Sequence, residues 1–202
     1  MKRAVPILLG VFLLTGCGAH SIQELSGGGH MGHGAAASAV PGAAVGAIGA
    51  DFNPADVMFL QMMAPHNNQG AELARLAADR ATRQEVKMLA AAIAATQEAE
   101  AASMSAWLSE WKQPATAAPD EHAAHGGMPG ASEKEIAAVA NAAPADFEEK
   151  LLNMMIAEQD DAIQMARVET ATGLNPQAKE LAGRIDASRT AQIKQMLALL
   201  GQ

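Results

Sequence analysis

The sequence predicts an all-α fold: a four-helix bundle of two tandem helical hairpins, joined by a long crossover that contains a short helix. Three observations predict it. The 202-residue chain has no Tyr, four Phe and two Trp, so its core must be built from Ala, Leu, Ile and Met, as in helical bundles. Apolar residues recur at spacings of three and four between recognisable cap signals. The first hairpin also repeats itself, without a gap, 92 residues further on.

The chain opens with MKRAVPILLGVFLLTGCGAH. Lys2 and Arg3 precede a short apolar run from Val5 to Leu14, too short to span a bilayer and laid out like a secretory signal. Leu14-Thr15-Gly16-Cys17 resembles a bacterial lipobox. That resemblance implies a signal peptide of residues 1–16 and a lipidated Cys17, carrying a diacylglycerol on sulfur and a palmitate-type acyl chain on its amine. Such an anchor holds a protein to the cell membrane without a transmembrane helix. Cys17 is the only cysteine, which excludes a disulfide framework and a thiolate metal cluster.

Removal of residues 1–16 takes away Lys2 and Arg3, leaving 12 basic and 22 acidic residues and a net charge of about −10. That balance argues against nucleic acid as a partner and favours mild attraction for cations. Residues 17–50 form the lipidated N-terminus and a Gly- and Ala-rich tether with His30, Met31 and His33. Residues 51–202 form the bundle: repeat one over 53–111, a linker with the short helix over 112–144, and repeat two over 145–201.

The first helix starts at Asn53, a good N-cap, with Pro54 in the first helical position and Asp56 opposing the dipole. Phe59, Met62, Met63, His66, Gly70 and Leu73 follow on one face. Pro65 lies too deep to be a start signal and is expected to kink this helix. Thr82 and Glu85 form a capping box for a second helix, whose stripe is Leu89, Ile93, Gln97, Glu100, Met104, Leu108 and Trp111, with Pro114 marking its end. The linker carries Asp120, Glu121, His122, His125 and Met128, then a Ser132–Glu135 capping box opening the short helix to about Asn141. A long helix from about Ala145 to Thr170 follows, its Glu148-Glu149-Lys150 run reading as a solvated face. Asn175-Pro176 starts the last helix and Gly201 ends it. In the repeat, Met62 and Met63 map to Met154 and Met155, Leu89-Ala90 to Leu181-Ala182, Ile93 to Ile185, and Met104 to Met196. The bundle is therefore expected to have pseudo-twofold symmetry.

The run Asp56…Phe59…Met63-Ala-Pro-His-Asn…Ala71-Glu-Leu-Ala74, with Leu89-Ala90…Ile93…Gln97…Glu100…Met104…Trp107-Leu108, resembles the bacterial domain-of-unknown-function 305 family. MMIAEQDDAIQMA in the second repeat resembles it too, and so does the linker up to Glu149. The resemblance implies a ferritin-like four-helix bundle, secreted or membrane-attached, with some members associated with copper or silver. Family members usually carry a His-His pair after the Met step. This chain has His66-Asn67 in repeat one and Glu158-Gln159 in repeat two. The partner-helix Gln and Glu are Gln97 and Glu100 in repeat one, and Arg189 and Gln192 in repeat two.

Met62, His66 and Gln69 share one helical face. If the second helix folds back near Asp79 to Ala81, His66 faces Ala95 to Gln97, and Met62 faces Ala99 or Glu100. The candidate bundle site is then Met62, Met63, His66, Gln97, Glu100 and Met104, thioethers and an imidazole suited to Cu(I) or Ag(I), with a carboxylate that extends the range to Cu(II) or Zn(II). The other reading makes the methionines core filler and His66 a structural residue bonded to Gln97. In repeat two the same fold-back puts Glu158 opposite Ala187 to Arg189 and predicts a Glu158–Arg189 ion pair. His30, Met31, His33, His122, His125 and Met128 offer a second, looser route to metal capture. No Glu-x-x-His, His-Glu-x-x-His or Gly-x-Ser-x-Gly motif is present, so no enzyme is expected. The expected function is a cell-envelope lipoprotein binding copper-like ions, Cu(I) or Cu(II), for buffering or tolerance. The alternative is a metal-free degenerate bundle acting as an envelope protein-interaction module, with no partner identifiable from sequence.

Overall fold

A computed structural model describes residues 47–117 and 130–201. Cys17, His30, Met31, His33, His122, His125 and Met128 lie outside the described residues, as does the expected signal peptide. Among the described residues there are five helices: α1 (Pro54–Arg80), α2 (Gln84–Glu110), α3 (Glu133–Ala140), α4 (Pro144–Thr172) and α5 (Pro176–Leu200). α1 pairs with α2 and α4 with α5, and the two hairpins meet mainly through α1 and α4. This is the expected ferritin-like four-helix bundle, with α3 in the crossover. Among the described residues, no helix is long and apolar enough to cross a membrane.

The start of α1 is built as the sequence predicts. Asn53 Oδ1 accepts from the N–H groups of Ala55 at 2.9 Å and Asp56 at 3.0 Å, and Asp56 returns a carboxylate oxygen to the Asn53 N–H at 2.6 Å. Ser132 and Glu135 close the same box on α3, and Asn175 caps α5. α1 runs on unbroken through Pro65. Chain before Asp51, expected to be tether, is already docked: the Trp111 indole N–H donates to the Gly49 carbonyl at 2.9 Å, and Phe52 stacks on Trp111 with centroids 4.3 Å apart.

The predicted Thr82–Glu85 capping box on α2 does not form. The N-cap is Arg83, so Thr82 lies one residue too early, and no side chain of the helix itself caps it. Glu148 of α4 does so instead, accepting from the Thr82 hydroxyl at 2.9 Å, the Arg83 N–H at 2.8 Å and the Thr82 N–H. An anion there also meets the positive end of the helix dipole. Glu148 is therefore not part of a solvated face. Asp56, its equivalent 92 residues earlier, does the same for the other hairpin. It accepts from the N–H groups of Leu174 at 3.0 Å and Asn175 at 2.9 Å, the equivalents of Thr82 and Arg83. Each hairpin thus caps the second helix of its partner.

Beside Asp56 lies Glu169, only 1% exposed. Burial, then hydrogen bonding to Asp56 and its charge, push the Glu169 carboxyl up to about 8 from 4.5. The folded state therefore keeps a proton that the unfolded chain releases above about 4.5, and stability falls as pH rises from there to about 8. Glu169→Gln, which mimics the protonated form, is expected to abolish this slope in urea titrations. At pH 8 the variant should exceed the parent by about 1–3 kcal/mol.

Two apolar clusters fill the bundle. One joins Leu73, Ala77, Val86, Ile93, Phe147, Leu151, Met155, Met196 and Leu199. The other joins Phe59, Leu60, Met63, Met104, Trp107, Leu108, Ala162, Leu181 and Ile185. On every long helix the stretch between them is polar: 66–67, 97–100, 158–159 and 189–192. The functional question centres on that layer.

Candidate metal centre in the middle of the bundle

The polar layer is made of repeat equivalents 92 residues apart: His66 with Glu158, Asn67 with Gln159, Gln97 with Arg189, and Glu100 with Gln192. His66, Asn67, Gln97, Glu158, Gln159 and Arg189 are all buried. Burying so many polar groups is costly unless they satisfy one another or a ligand.

His66 Nε2 lies 3.0 Å from Glu158 Oε2, with side-chain exposures of 0% and 3%. Neither atom completes an aligned hydrogen bond, and His66 Nδ1 has no hydrogen-bond partner. The other Glu158 oxygen accepts the Ala131 N–H at 2.8 Å. The preceding Gly130 has a φ of +129°, and a Cβ there would collide with the Gln69 side chain. Asp161, half-buried nearby, has its carboxyl pushed up by desolvation, against the pull of His66 and with reinforcement from Glu158 and Asp160.

Glu100 is engaged elsewhere. Its Oε2 accepts from Asn67 Nδ2 at 2.9 Å and from Arg189 Nη2. Gln97 packs against α1 where Gly70 leaves room: a Cβ on Gly70 would stand 2.6 Å from Gln97 Oε1. Met63 and Met104 belong to an apolar cluster and act as core. Met62 is buried but lies outside both clusters, one turn before His66. Of the six bundle residues picked out by sequence, the layer thus contains His66, Gln97 and Glu100, with Met62 on its border.

The predicted Glu158–Arg189 pair does not form. Asn67 faces Glu100 and Arg75 reaches Glu98, about six and about twelve residues further along α2 than a fold-back at Asp79 to Ala81 implies. A similar offset in repeat two places Arg167 against Asp186. Each carboxylate then reaches across the pseudo-twofold axis, Glu158 to His66 and Glu100 to Arg189. The sequence reading missed Glu158 as the partner of His66. The repeat held the signal, since residues near a twofold axis meet their own equivalents.

Among the described residues, no group of three His, Cys, Asp or Glu side chains is placed to hold a metal ion. The donor set of the layer nonetheless fits a soft ion: an imidazole with an unpartnered nitrogen, a facing carboxylate and a thioether one turn away.

Comparison with known proteins agrees with this architecture. The sequence profile of the domain of unknown function DUF305 matches residues 56–200, and the chain belongs to that family. A DUF305 fragment from Deinococcus radiodurans superposes with a TM-score of 0.64 at 28% identity, over 74% of this chain and 97% of the other. A DUF305 protein from Streptomyces coelicolor, described as secreted, gives 0.68 at 28% identity, over 73% and 92%. CopM in its Cu(II)-bound form gives 0.60 at 30% identity, over 72% and 95%, and CopM has also been solved with Cu(I) and with silver. No curated protein shows significant similarity to the chain.

Proposed function

We propose that the chain is an extracytoplasmic lipoprotein, anchored through Cys17, whose bundle binds copper-like ions for buffering or tolerance and has no catalytic role. The observation that carries the reading is His66. It is buried, opposed by Glu158 at 3.0 Å and left with an unpartnered Nδ1, in a chain similar to copper- and silver-bound CopM. The secreted Streptomyces coelicolor relative supports the location. His66 and Glu158 would hold the ion, with Met62 as the nearest soft donor. His30, Met31, His33, His122, His125 and Met128 would add weaker capture along the tether and linker.

A second reading, a metal-free bundle serving as an envelope interaction module, has one observation in its favour. Repeat two has no histidine in the layer, and Arg189 there engages Glu100.

Titration of the lipid-free mature chain with Cu(I) and Cu(II) against competing chelators separates these readings. Stoichiometric binding is expected, reduced about a hundredfold or more by His66→Ala. Weak binding lost only on deletion of 27–34 and 120–128 would move the site to the flanking segments. No binding at all would leave the interaction module.

A further inference from the structure

The exchanges between repeats in the polar layer are unequal in one respect. Asn67 for Gln159 and Glu100 for Gln192 keep an amide or remove a charge. Replacing the equivalent of Gln97 by Arg189 brings in a charge that cannot be lost, because a guanidinium stays protonated. Arg189 is completely buried. Its Nη2 donates to Glu100 Oε2, while its Nε and Nη1 have no hydrogen-bond partner. A guanidinium making one of its five possible bonds gives the layer little in hydrogen bonding. Its main contribution is charge.

We propose that Arg189 is a resident cation that sets the charge of the bundle centre, so that the centre takes a monovalent soft ion of the Cu(I) or Ag(I) class in preference to a divalent one. This rests on the reading of His66 and Glu158 as the binding site. The layer holds two carboxylates, Glu100 and Glu158, and Arg189 neutralises one of them. One negative charge is left for a metal. A monovalent ion brings the layer to neutrality. A divalent ion leaves a surplus positive charge beside a buried guanidinium, where little solvent screens the repulsion. Asp161 is partly exposed, so solvent screens its charge more than that of the buried pair. The donor types point the same way, since imidazole and thioether suit Cu(I) and Ag(I).

The test uses the full chain in detergent, with Ag(I) and Zn(II) as redox-inert probes of the two charge classes. Arg189→Gln installs the residue of repeat one and removes the cation. It is expected to shift the affinity ratio toward Zn(II) by about tenfold or more, while Arg189→Lys keeps the parent ratio. Glu100→Gln provides an independent arm. It leaves the layer with no spare negative charge before metal binds and is expected to weaken Ag(I) binding by about tenfold. Ag(I) binding that depends on His66, with a ratio indifferent to Arg189→Gln and an affinity indifferent to Glu100→Gln, would overturn the charge role and leave the site standing. Ag(I) binding that is absent, or unaffected by His66→Ala, would overturn the site and this inference together.

Discussion

Arg189→Ala is expected to destabilise the protein by about 3–5 kcal/mol, the cost typical of breaking a buried ion pair from one side. The substitution leaves Glu100 as a carboxylate with only Asn67 for a partner. It also opens a cavity where a fully buried guanidinium and its stem had been. Urea unfolding at neutral pH reads the loss directly as a lower midpoint at unchanged slope. A charge-free double variant, Glu100→Gln with Arg189→Met, separates charge from packing. It removes both ions while roughly conserving volume, and should recover most of the loss, falling within about 1.5 kcal/mol of the parent. If the double variant is as unstable as Arg189→Ala, the loss comes from the missing pair itself rather than from a stranded Glu100 carboxylate or a cavity.

That expectation shows what the sequence could and could not reveal. Helix starts are legible where the chain carries a local signal: Asn53-Pro54, Ser132 with Glu135, and Asn175-Pro176 all cap where they are expected to, whereas α2 is capped from α4. The 92-residue repeat also made the pseudo-twofold architecture readable. Pairing between helices was a different matter. Register across a hairpin depends on where the turn falls, and an offset of about six to twelve residues is more than one helical turn, enough to exchange every partner. The Glu158–Arg189 pair was lost to that offset. Met63 and Met104 look identical as core filler and as ligands until the packing is known, and here they are core. The sequence points to His66, and the structure buries it against Glu158. Its partner came from the opposite repeat, because α1 and α4 meet near the axis that relates them.

The cross-caps carry the second large effect. Asp56→Ala is expected to cost about 2–4 kcal/mol, because it strips the acceptor from the N–H groups of Asn53, Leu174 and Asn175. Asp56 itself is completely buried, so water does not readily take its place. The same change leaves Glu169 buried beside no acceptor, so Asp56→Asn should lie between Asp56→Ala and the parent. Glu148→Ala removes the symmetric cap and is expected to cost less, about 1–2 kcal/mol, because its site is 15% exposed and water can partly replace it. The two caps also differ in their response to acid. Burial alone would raise the Glu148 carboxyl, but bonds from Arg83 and Thr82 outweigh it and hold the group down at about 2. Its contribution is thus complete above about 4.5 and lost as pH falls through about 2. The stability gap between the parent and Glu148→Gln should accordingly be constant from pH 7 to 5 and close toward pH 2. A gap that stayed open at pH 2 would mean that Glu148 acts through shape rather than charge, and the cap on α2 would need another explanation.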